Sequence, residues 1–231
     1  MEASQIIADF RREADDNVSP YHNSPETVLA WLSEAEREAA VRARLIYDRS
    51  TPGIARVDLV PGQSEYALSP LWFDIDEVYL DRSDLLPGYR PKRLCRHDTR
   101  QVQGRDLHRP SSNLHGYAID GQKLTVFPVP DTSYGAAMYP SKLLLGGYRL
   151  PLYDIEDLSD EPEIPVVHHD GLVQWMLYRC YSQVDTELYD QDRGARAYNI
   201  FESRFGERPS ANALRMQAEG RRWTTRPASY P

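Results

Sequence analysis

The side chains of this chain that could do chemistry are few and badly spaced. His168, His169 and Asp170 form a tight run of metal-ligand types at the expected start of a helix. Side chains adjacent on a helix diverge by about 100°, so the two histidines do not converge on one ion, and metal sites prefer i,i+4 pairs or ligands from separate elements. The run reads as polar residues in a first helical turn. Cys95 stands two residues before His97 in a basic stretch. Positive neighbours lower a thiol pKa, but this spacing is weak support for a nucleophile. Cys95 reads as a plain thiol. Asp74, Asp76 and Glu77 read as an exposed strand face rather than as paired catalytic carboxylates. Gly146-Gly147 lacks the pattern of a phosphate loop, and neither G-x-S-x-G nor CxxC occurs. The expected catalytic, cofactor-binding and metal sites are therefore none.

Charge is more informative than motif. The chain carries 27 Lys+Arg and 35 Asp+Glu, a formal net charge of −8. That balance argues against a general duplex-DNA binder, whose affinity rests on neutralising phosphates. The distribution is uneven. Arg90, Lys92, Arg93, Arg96, Arg100, Arg105 and Arg109 are opposed over their stretch by Asp98 and Asp106 alone. From Leu150 to Tyr178 there is no Lys or Arg, while Asp154, Glu156, Asp157, Asp160, Glu161, Glu163 and Asp170 lie there. Solvated faces, or pairing within one subunit, would account for both. So would complementary faces of a self-assembling ring, or a basic patch meeting an acidic partner. Arg93, Arg96 and Arg100 are the candidate interface residues of the basic stretch. The C-terminal stretch adds Arg221, Arg222, Trp223, Arg226 and Tyr230, the residue types that dominate binding hot spots. It reads as a docking arm, with an internal strap as the alternative.

The 231 residues are enough for one large domain or two small ones. Cys95 and Cys180 make no disulfide framework and fit a reducing compartment. No run approaches the ~18 apolar residues of a membrane helix, and the N-terminus does not read as a signal peptide. Fifteen tyrosines suit either semi-buried contact surfaces or a Tyr-rich sheet.

The elements that must position these residues follow from periodicity. Ser4 is expected to cap a first helix carrying Ile6, Ile7, Phe10 and Ala14. Ser24-Pro25-Glu26 opens a second helix, with Val28, Leu32, Ala35, Ala39 and Ile46 on one stripe and Glu38–Arg42 as an i,i+4 pair on its wet side. Thr51-Pro52-Gly53 is expected to stop it. From Ile54 the period changes to two. Ile54–Val60 and Ser64–Leu68 predict a hairpin around Pro61-Gly62-Gln63. Further strands are expected at Ile75–Leu80 and Lys142–Tyr148, with a second hairpin around Asp120-Gly121. A short helix near Thr99–Gln103 is an open reading. After an acidic, proline-bearing connector, Pro165 opens a third helix with Val173, Met176, Leu177, Cys180 and Val184 on one face. A fourth covers about Tyr189–Arg204, with Ala195, Tyr198 and Phe205 inward. The expected fold is α+β. N- and C-terminal helices (1–53 and 151–206) form one helical bundle, 54–150 is a β-rich insertion, and 207–231 is an extended C-terminal arm.

Several phrases, in order, resemble the head–tail connector adaptors of tailed bacteriophages. Ile6-Ile7-Ala8-Asp9-Phe10-Arg11-Arg12, the Ser24-Pro25-Glu26 cap and Trp31-Leu32-Ser33-Glu34-Ala35-Glu36-Arg37-Glu38 are similar to the family's first two helices. Pro61-Gly62-Gln63-Ser64-Glu65-Tyr66-Ala67-Leu68 is similar to its glycine and tyrosine–x–leucine hairpin. Tyr117-Ala118-Ile119-Asp120-Gly121-Gln122-Lys123-Leu124, then Phe127-Pro128-Val129-Pro130-Asp131, resemble the next hairpin, and Ile164-Pro165 leads into the third helix. The stretch from Arg90 to Leu114 departs from the pattern. The resemblance implies a structural virion protein at the head–tail junction, assembled in the host cytoplasm, with no enzyme activity and no cofactor. It implies a dodecameric ring between portal protein and a tail or nozzle protein, surrounding double-stranded DNA without reading its sequence, and no membrane partner. The competing reading is a nucleic-acid-binding or enzymatic phage accessory protein using residues 90–109.

Overall fold

The computed structural model describes residues 1–83, 88, 90–97, 111, 113–131, 141–183 and 188–213. The fold is mixed α+β, and it divides into two units. Met1–Ile46 and Arg149–Ser210 make the first, and Tyr47–Tyr148 lies in the second.

The first unit is helical. Helix α1 spans Ala3–Glu13 and α2 Pro25–Ala43. A 3-10 turn at Val166–His168 leads into α3, His169–Tyr181, and α4 spans Gln191–Phe205. One buried apolar cluster draws on all four helices, with Phe10, Leu32, Met176 and Phe201 among its members. Gly171 lets α3 approach α4, because a Cβ there would lie 2.7 Å from the Phe205 ring.

The caps correct three expectations. Ser4 does not cap α1. It stands inside the helix and donates to the Glu2 carboxylate at 3.1 Å. The first-turn N–H groups of Ala3 and Ser4 donate instead to the carbonyls of Asp160 and Leu158, at 2.8 and 2.9 Å. The connector thus supplies the acceptors that a helix N-terminus lacks. Ser24 does cap α2, accepting from the Thr27 N–H at 3.3 Å. That helix stops at Ala43 rather than at Thr51-Pro52-Gly53, because Arg44 turns left-handed at φ 53. Ile46 is buried beyond the helix end, and Tyr47–Asp48 pairs as a strand. In α4, capped by Asp190, Ala195 is exposed, and Gly194 and Ala197 are the buried positions.

The second unit holds two sheets. The strands are β1 Tyr47–Asp48, β2 Arg56–Asp58, β3 Glu65–Ala67, β4 Trp72–Asp81, β5 Lys92–Arg93, β6 Cys95–Arg96, β7 Gly116–Asp120, β8 Lys123–Phe127 and β9 Lys142–Arg149. One sheet runs β1-β9-β4-β5, with β2 also on β9; the other runs β3-β8-β7-β6. Val78, Leu124, Leu143 and Leu145 are among the side chains of their common apolar cluster. The Asp120-Gly121 hairpin forms as β7–β8, with Gly121 at φ 58. The hairpin expected around Pro61-Gly62-Gln63 does not. There β2 pairs with β9 and β3 with β8, so the chain changes sheet at that turn. Tyr66 explains why the turn is nonetheless well formed. Its hydroxyl accepts from the Val60 N–H at 3.0 Å and donates to the Gln63 carbonyl at 2.9 Å.

Candidate functional site

Two exposed surfaces and one buried clamp carry most of the unusual chemistry among the described residues. The first surface is the acidic connector, and helix α2 is what shapes it. Ser33 both accepts from the Ile155 N–H at 2.9 Å and donates to the Ile155 carbonyl at 3.2 Å. The Asp160 carboxylate accepts the N–H groups of Glu156 and Asp157 at 3.0 and 2.9 Å, closing a turn. Glu163 is gripped by the buried Arg149 guanidinium and accepts from the Leu152 N–H. With Ile155, Pro162 and Ile164 buried, the intervening side chains are driven outward. Tyr153 is 83% exposed and Leu158 50%, with Glu156 and Asp157 exposed between them. Asp154 pairs with Arg37 at 3.2 Å. Glu156 and Asp157 have no cationic partner among the described residues.

The clamp lies behind this ridge. Glu36, 2% exposed, accepts from the N–H groups of both Glu163 and Ile164 through one oxygen. Burial dominates those two bonds and pushes its carboxyl up to about 7. His169, 1% exposed, bonds the Ile164 carbonyl through Nε2 at 2.9 Å. One peptide segment is thus held from two sides by buried titratable groups. A signal for Glu36 was present in the sequence: an acid at the helical spacing of Leu32 and Ala39 falls on the buried stripe.

The second surface is a face of the β1-β9-β4-β5 sheet. The hydroxyls of Tyr47 and Tyr79 both donate to Glu77, at 3.2 and 2.9 Å. Partial burial, then the Glu77 charge, push the Tyr47 phenol up to about 12, and the hydrogen bond to Glu77 raises Tyr79. Both phenols therefore remain neutral donors at physiological pH. Arg49 reaches Glu77 at 3.8 Å and lies 4.8 Å over the Tyr79 ring. Tyr47 meets Tyr148 edge-on at 5.3 Å, and Phe73 stacks on Tyr148 at 6.4 Å. Asp74, Asp76 and Glu77 are half-buried on β4, not an exposed acidic row. Sequence reading missed this cluster because its members come from three distant segments.

The residues singled out in advance divide unevenly. Arg93 is exposed on β5, directly across from Tyr79. Arg96, on β6, donates to the Ile75 carbonyl of β4 at 3.1 Å and so ties its strand to the other sheet of its own unit. Arg100, Arg221, Arg222, Trp223, Arg226 and Tyr230 lie outside the described residues, as do Val184 and the Thr99–Gln103 segment. His168 packs against Phe205 while His169 bonds Ile164, so the two rings serve different neighbours. Among the described residues, no group of three His, Cys, Asp or Glu is placed to hold a metal. Cys180 is buried and accepts from the Asn23 amide, and burial raises its thiol. Cys95 is exposed. Among the described residues no helix is long and apolar enough to cross a membrane.

No curated protein matches the chain. A family model does, over residues 1–230, and its description is SU10 adaptor protein. This agrees with the order of phrases that resembles phage head–tail adaptors, from the first helix to the connector and beyond. The chain belongs to the SU10 adaptor protein family.

Proposed function

We propose that this protein is a head–tail adaptor, assembling as a dodecameric ring beneath the portal and joining the capsid vertex to the tail. The observation that carries the reading is the family match over 1–230. The surfaces described above suit it: a protein whose task is docking needs exposed, preorganised aromatic and charged side chains rather than a catalytic cleft. In this reading the helical ends act as one bundle, and residues 207–231 dock on portal or on a neighbouring subunit. Portal protein lies on one side of the ring and a tail or nozzle protein on the other. Double-stranded DNA passes through the channel without sequence-specific contact. The protein is then a virion component that catalyses no reaction and needs no cofactor. The test is to mix the purified protein with isolated portal rings and measure the mass of the product. A discrete complex with a fixed number of copies per portal ring supports the reading. Absence of any complex at high protein concentration and low salt overturns it.

A further inference from the structure

We propose that neighbouring copies meet head to tail, with the acidic connector ridge of one copy seated on the arginine–tyrosine face of the next. This rests on the ring reading above and names the surfaces that close the ring. On the donor side, Glu156 and Asp157 are exposed, lack cationic partners among the described residues, and are flanked by Tyr153 and Leu158 at 83% and 50% exposure. Their backbone is fixed from beneath by Ser33 and Asp160, so docking orders little chain. On the acceptor side, Arg90 and Arg93 are exposed and have no carboxylate partner among the described residues. Arg93 stands across the strand pair from Tyr79, whose phenol is already held by Glu77. Arginine beside anchored tyrosine is the composition of a binding hot spot.

The charge pattern selects the occupant. A two-fold contact through either surface would put like charge against like charge. A heterologous contact puts each surface against its complement, and one chain supplies both halves. Such a contact repeats around a ring, which the adaptor reading requires.

The test uses the full chain with isolated portal rings and two charge reversals. One variant carries Arg90→Glu with Arg93→Glu; the other carries Glu156→Arg with Asp157→Arg. Each alone should lose about tenfold in assembled mass, because like charges now meet at every contact. An equimolar mixture should recover assembly. Alternating copies then restore a native contact and a swapped one in turn. Melting curves report folding, and the neutral variants Arg93→Gln and Asp157→Asn, expected to show intermediate losses, serve if a reversal unfolds the chain. The proposal is overturned if either reversal assembles like the wild type, or if the impaired pair fails to recover on mixing. Wild-type protein that forms no ring on portal overturns the adaptor reading itself, and this contact with it.

Discussion

Glu36 stands on the buried stripe of α2, four residues after Leu32 and three before Ala39. Its carboxyl is raised from 4.5 to about 7, chiefly by burial. A carboxyl raised in the folded state contributes stability that is fully present below its unfolded pKa and is lost as pH rises through the folded value. The protein should therefore melt at lower temperature near about pH 8 than near about pH 5, with Glu36 contributing a difference on the order of 2–3 kcal/mol. Glu36→Gln keeps an acceptor for the Glu163 and Ile164 N–H groups but does not titrate. Its melting temperature should match the wild type at the acid end and exceed it at the alkaline end. Equal slopes for the two proteins would refute the assignment. Arg42 is a second case where position outweighs residue type. The Glu38–Arg42 pair expected on the wet side of α2 is not wet: the Arg42 side chain is 2% exposed and the Glu38 side chain 14%. Arg42 lies 5.2–5.3 Å over the rings of Trp175, Tyr198 and Phe201. An exposed pair contributes at most about 1 kcal/mol, whereas desolvated cation–π contact adds about 2 more. Arg42→Ala should cost about 2–3 kcal/mol in urea unfolding, and a loss below 1 kcal/mol would place the guanidinium in solvent.

At the scale of the element, the last strand decides how the β-rich unit is put together. β9 takes β1 and β2 on one side and β4 on the other, and it does so across Gly146-Gly147. A Cβ on Gly147 would lie 2.2 Å from the Asp74 backbone oxygen and 2.7 Å from the Ile75 Cα. Backbone cannot yield as a side-chain tip can. Gly147→Ala should therefore destabilise by about 3 kcal/mol, at the upper end of overpacking costs. Ala at Gly53, where nothing lies within 4 Å of a Cβ, meets no such contact and carries only the strain of φ 78. Thermal melts of the two variants separate a packing requirement from a conformational one; Gly147→Ala melting no lower than Gly53→Ala would refute the close β4–β9 approach. The same glycine pair looks in sequence like a failed phosphate loop, and its role is legible only once β4 is beside it.

For the whole molecule, the described chain runs out from α4 past Arg208, which pairs with Glu38 of α2 at 3.2 Å. The residues beyond 213 hold five of the eight interface candidates. Under the adaptor reading they dock on portal or on a neighbouring subunit, not on their own subunit's core. Truncation after Ala213 should leave the melting temperature of the isolated protein unchanged and sharply weaken attachment to portal rings, measured by pull-down beside the melt. A truncated protein that unfolds by itself would make the segment an internal strap. One that attaches normally would make it dispensable.

What the sequence alone determined was whatever depends on neighbours a few residues apart. The Ser24-Pro25-Glu26 start of α2, the Asp120-Gly121 hairpin, the strand expected at Lys142–Tyr148 and the α+β class rest on capping, turn geometry and hydrophobic period. The order of those short phrases also carried the family. Long-range pairing decided the rest. Whether two strands flanking a turn join each other or separate sheets is settled by β8 and β9, far along the chain. Whether Arg42 is wet, which groups satisfy the α1 N-terminus, and which tyrosines share Glu77 depend on segments 30 to 160 residues away. Local propensity has no term for such contacts, because the free energy that selects them arises only when distant segments are desolvated together.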